Sequence, residues 1–244
     1  MTYNDIYKNF LIEYDKADVS SSYPSLTNEE IAAILNKAMY ALIAQKVTGN
    51  NPRKIALDMD SKAMADISPL IDVYLLKTTL ISTTASEDTT KGALAKNELI
   101  YKYVSNTTPP EYVLSGIIEY TNGEHLTVLL LTSVIADKFK QTIHNKPWIK
   151  EPVMYLQSSS TTTSKSTCIH VLVDPNKMSD LSEKMYIRGV KMPSAFTDSF
   201  SNGDVFPLSN TVCEELINLA VIFACRNVQD PRLATVVQTK SLEA

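Results

Sequence analysis

Glycine is scarce in this chain, six among 244 residues. No G-x-G-x-x-G or G-x-x-x-x-G-K-[ST] run occurs, so the usual backbone cradles for nucleotide phosphates are missing and ATP-driven activity is not expected. Cysteine is scarcer still. Cys168, Cys213 and Cys225 are too far apart for a paired disulfide framework or a C-x-x-C metal knuckle, which leaves reduced, buried thiols as the expectation. No apolar stretch approaches the roughly 18 residues that cross a bilayer, and Met1 to Ile6 is polar and acidic where a signal peptide needs basic residues followed by an apolar run. A protein with no membrane span, made and kept in a cytoplasm, is expected. Lysine and arginine are scattered, and the net charge of −4 argues against a face that grips nucleic-acid phosphates.

What is present is enough apolar material for a core: 44% of residues are hydrophobic and 20% charged, which suits one large domain or two small ones. The first strong element follows Leu26. Thr27 and Glu30 have the spacing of a capping box, Ile31, Ile34, Leu35, Ala38 and Leu42 recur at helical spacing, and Gly49 with Asn51-Pro52 supplies a stop. Tyr3 to Tyr14 carries Ile6, Phe10 and Leu11 at compatible spacing and predicts a shorter helix. Asp58 to Ile67 is briefly helical before Ser68-Pro69, after which Val73 to Leu80 is rich in strand formers. Ser82 to Lys91 has no apolar periodicity and reads as a surface loop.

Strands then become dense: Leu99 to Val104, Val113 to Tyr120, Leu126 to Leu131. Thr121-Asn122-Gly123-Glu124 between the last two predicts a hairpin with a type I′ turn. Ser133 to Thr142 is a short helix or an irregular crossing, and Lys146-Pro147-Trp148 forces an extended, bent path. Val153 to Gln157 and Cys168 to Val173 flank the polar run Ser158 to Ser166, read as a long, floppy hairpin tip. A further strand runs from Met185 to Lys191. The last helix begins around Leu208-Ser209-Asn210-Thr211, with Thr211 and Glu214 as a second capping box and Leu216, Leu219, Ala220 and Phe223 at core spacing. Arg232 to Ala244 is a polar tail, disordered or ordered by a neighbour. The expected fold is α+β: an N-terminal helical region over 1–72, an antiparallel β-rich middle over 73–207 forming a sandwich or partly open barrel, and a C-terminal helix and tail over 208–244.

No catalytic, cofactor-binding or metal-binding set emerges. His125, His144 and His170 fall in different elements and lack the spacing of a metal site or triad. Asp58-x-Asp60 lacks the further ligands and glycine of a calcium loop and reads as a solvated helix start. Cys213 sits in the first turn of the last helix, where the dipole favours a thiolate, but Glu214 and Glu215 beside it oppose one, so a packed cysteine is preferred. Asn106-Thr107-Thr108 has the glycosylation pattern without a secretory context. Arg226 and Arg232 bracket Asp230 as a helix-end network or an intersubunit contact. An enzyme reading would have to draw on His170, Cys213 and Asp174.

Three stretches together carry a resemblance. Leu26 to Ala38, continuing through Gln45-Lys46 to Gly49-Asn50-Asn51-Pro52-Arg53, is similar to the N-terminal segment of neck proteins of crAss-like bacteriophages. Glu214 to Ala220 and on to Asp230-Pro231-Arg232-Leu233 resembles the end of those proteins. Asn145-Lys146-Pro147-Trp148 with Tyr186-Ile187-Arg188 resembles their β-rich middle. The resemblance implies a virion structural protein, a ring at the head-to-tail junction of a short-tailed phage, in twelve copies beneath the portal, assembled in the host cytoplasm. Its partners would be copies of itself, the portal protein, other neck or tail proteins, and genomic DNA passing through without sequence-specific binding. The alternative within the same class is another virion part, a tail or cargo protein.

Overall fold

A computed structural model describes residues 1–16, 26–49, 57, 61–78, 98–104, 108–136, 151–161, 164–174, 180–200, 203–227 and 237. The chain is α+β, with terminal helices around a β-rich middle. It divides into two compact units: residues 1–70 with 192–244, and residues 71–191. The two ends read from sequence as separate regions are therefore one unit.

In the helical unit, α1 (Tyr3–Lys16), α2 (Asn28–Thr48) and α3 (Ser61–Ile67) precede the barrel in sequence and α4 (Asn210–Asn227) follows it. The capping box of α2 forms as expected. Glu30 N donates to Thr27 Oγ1 at 3.3 Å, Thr27 N donates to Glu30 Oε2 at 2.8 Å, and Gly49 closes the helix at φ 70°. The cap of α4 lies two residues before the predicted one: Ser209, not Thr211, accepts from Val212 N at 3.4 Å. Ser209 offers the same short hydroxyl three residues before Val212, the spacing at which an N-cap side chain reaches a free amide, and Val212 and Cys213 are both buried. α1 and α2 both pack on α4, burying Ile6, Phe10, Leu35, Met39, Leu216, Ala220 and Val221. Asn36 fastens the returning chain to α2. Its side chain donates to Phe196 O at 3.0 Å and accepts from Phe196 N at 2.8 Å.

The second unit is a closed seven-stranded barrel, ordered β1-β2-β6-β5-β4-β3-β7. The strands are β1 (Ile71–Lys77), β2 (Glu98–Tyr103), β3 (Tyr112–Tyr120), β4 (His125–Leu130), β5 (Val153–Thr161), β6 (Ser164–Leu172) and β7 (Leu181–Val190). Every neighbouring pair is antiparallel except β4 and β5, which run parallel through Leu129↔Val153 and Leu130↔Met154. Strand alternation sends Leu76, Leu99, Tyr101, Ile118, Val128, Met154, Ile169, Val171, Met185 and Ile187 to one buried cluster inside the barrel. Gly189 keeps β7 close to the segment before β3: a Cβ there would lie 2.4 Å from Pro110 Cβ.

Two local expectations are corrected. The β3–β4 turn is not type I′, which needs positive φ at both central residues. Only Gly123 has it, at 84°, and Gly123 N donates to Tyr120 O while Tyr120 N donates to Glu124 O. This is a three-residue loop with glycine in the left-handed position, and Asn122 serves it differently, accepting from Glu124 N at 3.0 Å. The serine- and threonine-rich tract is likewise not a floppy tip over 158–166. β5 and β6 stay in register out to Thr161↔Ser164, because serine and threonine keep their main-chain groups free for a ladder and threonine favours extended backbone. The expectations at Ser82 to Lys91, Asp58-x-Asp60, Lys146-Pro147-Trp148, His144 and Asp230 with Arg232 lie outside the described residues, as does the tail apart from Val237.

Candidate functional site

β1 hydrogen-bonds β7 along its whole length, Ile71↔Val190 to Lys77↔Lys184, but meets β2 only at Leu76↔Tyr103 and Lys77↔Lys102. The barrel therefore closes here by a thin seam. Residues Ile71 to Leu75 have a strand on one side and none on the other among the described residues. Thr78 N donates to Glu183 O on β7, so by alternation the amides of even-numbered residues face β7 and those of odd-numbered residues face the open side. Val73 N accordingly finds no strand and donates to Asp72 Oδ1 at 2.8 Å. A charged side chain covering an open edge is a common guard against uncontrolled pairing. Beside this edge lies a cleft of about 490 Å³ lined by Asp72, Val73, Tyr74, Leu75, Val104, Thr108 and Lys191. Val73 is 57% exposed.

The parallel contact between β4 and β5 is a second thin seam, held by two residue pairs. Past it, Leu129 and Leu130 on β4, Val134 and Ile135 in the helical turn at 133–136, and Leu156 on β5 are all exposed. Leu131 and Ala136 turn the other way and pack with Val153, Tyr155 and Leu172. An uncharged run from Leu126 to Ala136 thus buries one face and leaves the other to water, a pattern that marks contact surfaces.

The buried polar chemistry of the barrel lies on the face of β2, β5 and β6 opposite the inner cluster, on the same side as Val153, Leu172 and Ala136. His170 on β6 lies directly across from Tyr155 on β5, and Glu98 on β2 pairs with Leu172, one diagonal step away. His170 Nδ1 lies 2.8 Å from Glu98 Oε1, and the Tyr155 hydroxyl donates to that same oxygen. All three are buried. The group ties together β2, β6 and β5. Sequence reasoning singled out His170 but missed Glu98 and Tyr155, which only the strand register brings to it.

The other residues weighed from sequence are dispersed. His125 is exposed on β4. Asp174 follows β6 in the barrel unit, whereas Cys213 is in the helical unit. There its Sγ donates to Leu208 O at 3.7 Å, and burial pushes the thiol above its ordinary value against a smaller pull from the amino group of Met1. Among the described residues no group of three or more His, Cys, Asp or Glu could hold a metal ion, and no helix is long and apolar enough to cross a membrane. In the helical unit Lys46 of α2 bridges Asp66 of α3 and Glu215 of α4, each at 2.7 Å. No protein-family model matches this sequence, and no curated protein matches it.

Proposed function

We propose that this chain is a virion structural subunit that forms a ring in the head-to-tail connector of a short-tailed, crAss-like phage. The ring would sit below the portal and enclose a passage for DNA. The observation that carries the reading is the pair of thin seams in the barrel. A heterologous ring needs two different faces on each subunit, and a cleft beside β1, lined by Asp72 to Leu75 and Lys191, and an exposed apolar strip at the other seam would supply two such faces. The resemblance of the Leu26 to Arg53, Tyr186 to Arg188 and Glu214 to Leu233 stretches to neck proteins supplies the location. Net negative charge suits a conduit, since phosphates are not held by acidic walls.

The test is the oligomeric state of the full chain by native mass spectrometry, alone and with portal protein. A closed ring near twelve copies is the expected species; a monomer under both conditions removes the proposal. Assembly without affinity for portal would point instead to the tail or cargo role. The enzyme reading requires a reactive Cys213, and a thiol reagent distinguishes it: fast labelling of the native chain would favour that reading.

A further inference from the structure

Lysine is scattered along the sequence, but the barrel gathers three of them. Lys77 on β1 lies directly opposite Lys102 on β2 and, on its other side, directly opposite Lys184 on β7. All three are exposed. Their chain neighbours Leu76, Tyr101 and Met185 belong to the inner cluster, so alternation sends each lysine to the outer face. The three make one row straight across β2, β1 and β7. Among the described residues none of their ammoniums has an ion-pair partner. Glu183 precedes Lys184 in the chain, and alternation turns it to the opposite face. Glu119, the outward-facing carboxylate on β3, stands opposite His125 and makes no ion pair with Lys184.

Like charges directly opposite one another on one face of a sheet destabilise it, and here two such pairs share Lys77. An external anion removes that repulsion. Neighbouring strands lie about 4.8 Å apart, so the row is about 10 Å long. One strand of duplex DNA carries a phosphate about every 3.4 Å along the helix axis, so a row of this length meets about three of them. We infer that the row of Lys102, Lys77 and Lys184 is a contact for the phosphodiester backbone of duplex DNA. Lysine is depleted from protein–protein interfaces. As a hydrated point charge on a flexible stem, it follows a phosphate backbone without reading sequence. Three contacts are few, so the row touches DNA at physiological salt without holding it, which is what a passage requires. The row itself rests on strand register alone; that its DNA threads a ring rests on the connector reading.

Fluorescence anisotropy of the full-length chain with a short labelled duplex tests it, read as a function of salt. Binding should be measurable near about 25 mM salt and about a hundredfold weaker near about 150 mM, a slope of about −2.7 in log affinity against log salt for three phosphates. Combining Lys77→Gln, Lys102→Gln and Lys184→Gln should weaken low-salt binding about thirtyfold and flatten the slope. Lys77→Gln alone should reduce the slope by about 0.9, while Lys8→Gln on α1, also exposed, should leave it unchanged. The triple variant should melt no lower than wild type, because its like-charge contacts are gone. A wild-type chain with no binding at low salt, or a triple variant that keeps the wild-type slope, overturns the inference and leaves the connector reading standing. Loss of oligomers in the triple variant with DNA binding unchanged assigns the row to a contact between copies and also overturns it. A chain that stays monomeric with and without portal, yet binds DNA through these lysines, keeps the inference and removes the connector reading.

Discussion

Lys46 stands where burial and pairing act in opposite directions. Burial works to lower its pKa, but hydrogen bonds and charge from Asp66 and Glu215 outweigh this and hold the ammonium above its ordinary value. A raised folded pKa means a contribution fully present below the ordinary lysine range and lost as pH climbs through the folded value. Lys46→Met should therefore cost about 2 kcal/mol near neutrality, mostly because Asp66 and Glu215 lose the ammonium they share, with Lys62 at 3.7 Å still beside Glu215. Urea melts at a series of pH values check this: the gap between wild type and variant should close only in strong alkali. Tyr103 gives a second alkaline marker, since burial, with Tyr74 beside it, pushes its phenol up to about 12. Its share of stability should be lost between the ordinary tyrosine value and that figure, visible as late phenolate absorbance in a spectrophotometric titration. Glu98→Ala should be the more damaging substitution, about 3 kcal/mol in denaturant unfolding, because it removes the buried oxygen that His170 and Tyr155 share.

Among the elements, the capping box of α2 was legible because its signal is local: two residues three apart satisfy two main-chain amides whatever the rest of the chain does. Thr27→Ala should lower stability by about 1 kcal/mol, read as a drop in Tm. The choice between Ser209 and Thr211 at the start of α4 was less legible, since both are competent caps and the packing of Val212 and Cys213 decides between them. The β3–β4 turn shows the same limit. Asn-Gly marks a hairpin, but the register of β4 on β3, with Glu119 opposite His125, leaves a three-residue loop and not a two-residue one. Gly189 is a case with no sequence signal. It looks like any strand glycine, yet Pro110 and the Tyr112 carbonyl leave no room for a side chain. Gly189→Ala should destabilise the barrel by about 2 kcal/mol, measured by chemical denaturation.

At the scale of the whole molecule, runs of strand-forming residues between closely spaced turns announced a β-rich middle, and the barrel delivers it. The charge balance makes one further prediction: fluorescence anisotropy with labelled duplex DNA should show no stable complex at physiological salt, and tight binding would contradict the conduit reading.

The chain's own order of residues determined which segments are helical, where α2 is capped, which middle segments are extended, and that no familiar phosphate, metal or nucleophile motif is present. Those properties depend on neighbours within a few positions. Only the tertiary structure decided that residues 1–70 and 192–244 make one unit. It alone brought Tyr155 and His170 onto one oxygen of Glu98, and it alone set a cleft beside β1. These arise from register and closure between strands distant in sequence, where each pairing depends on all the others that complete the barrel.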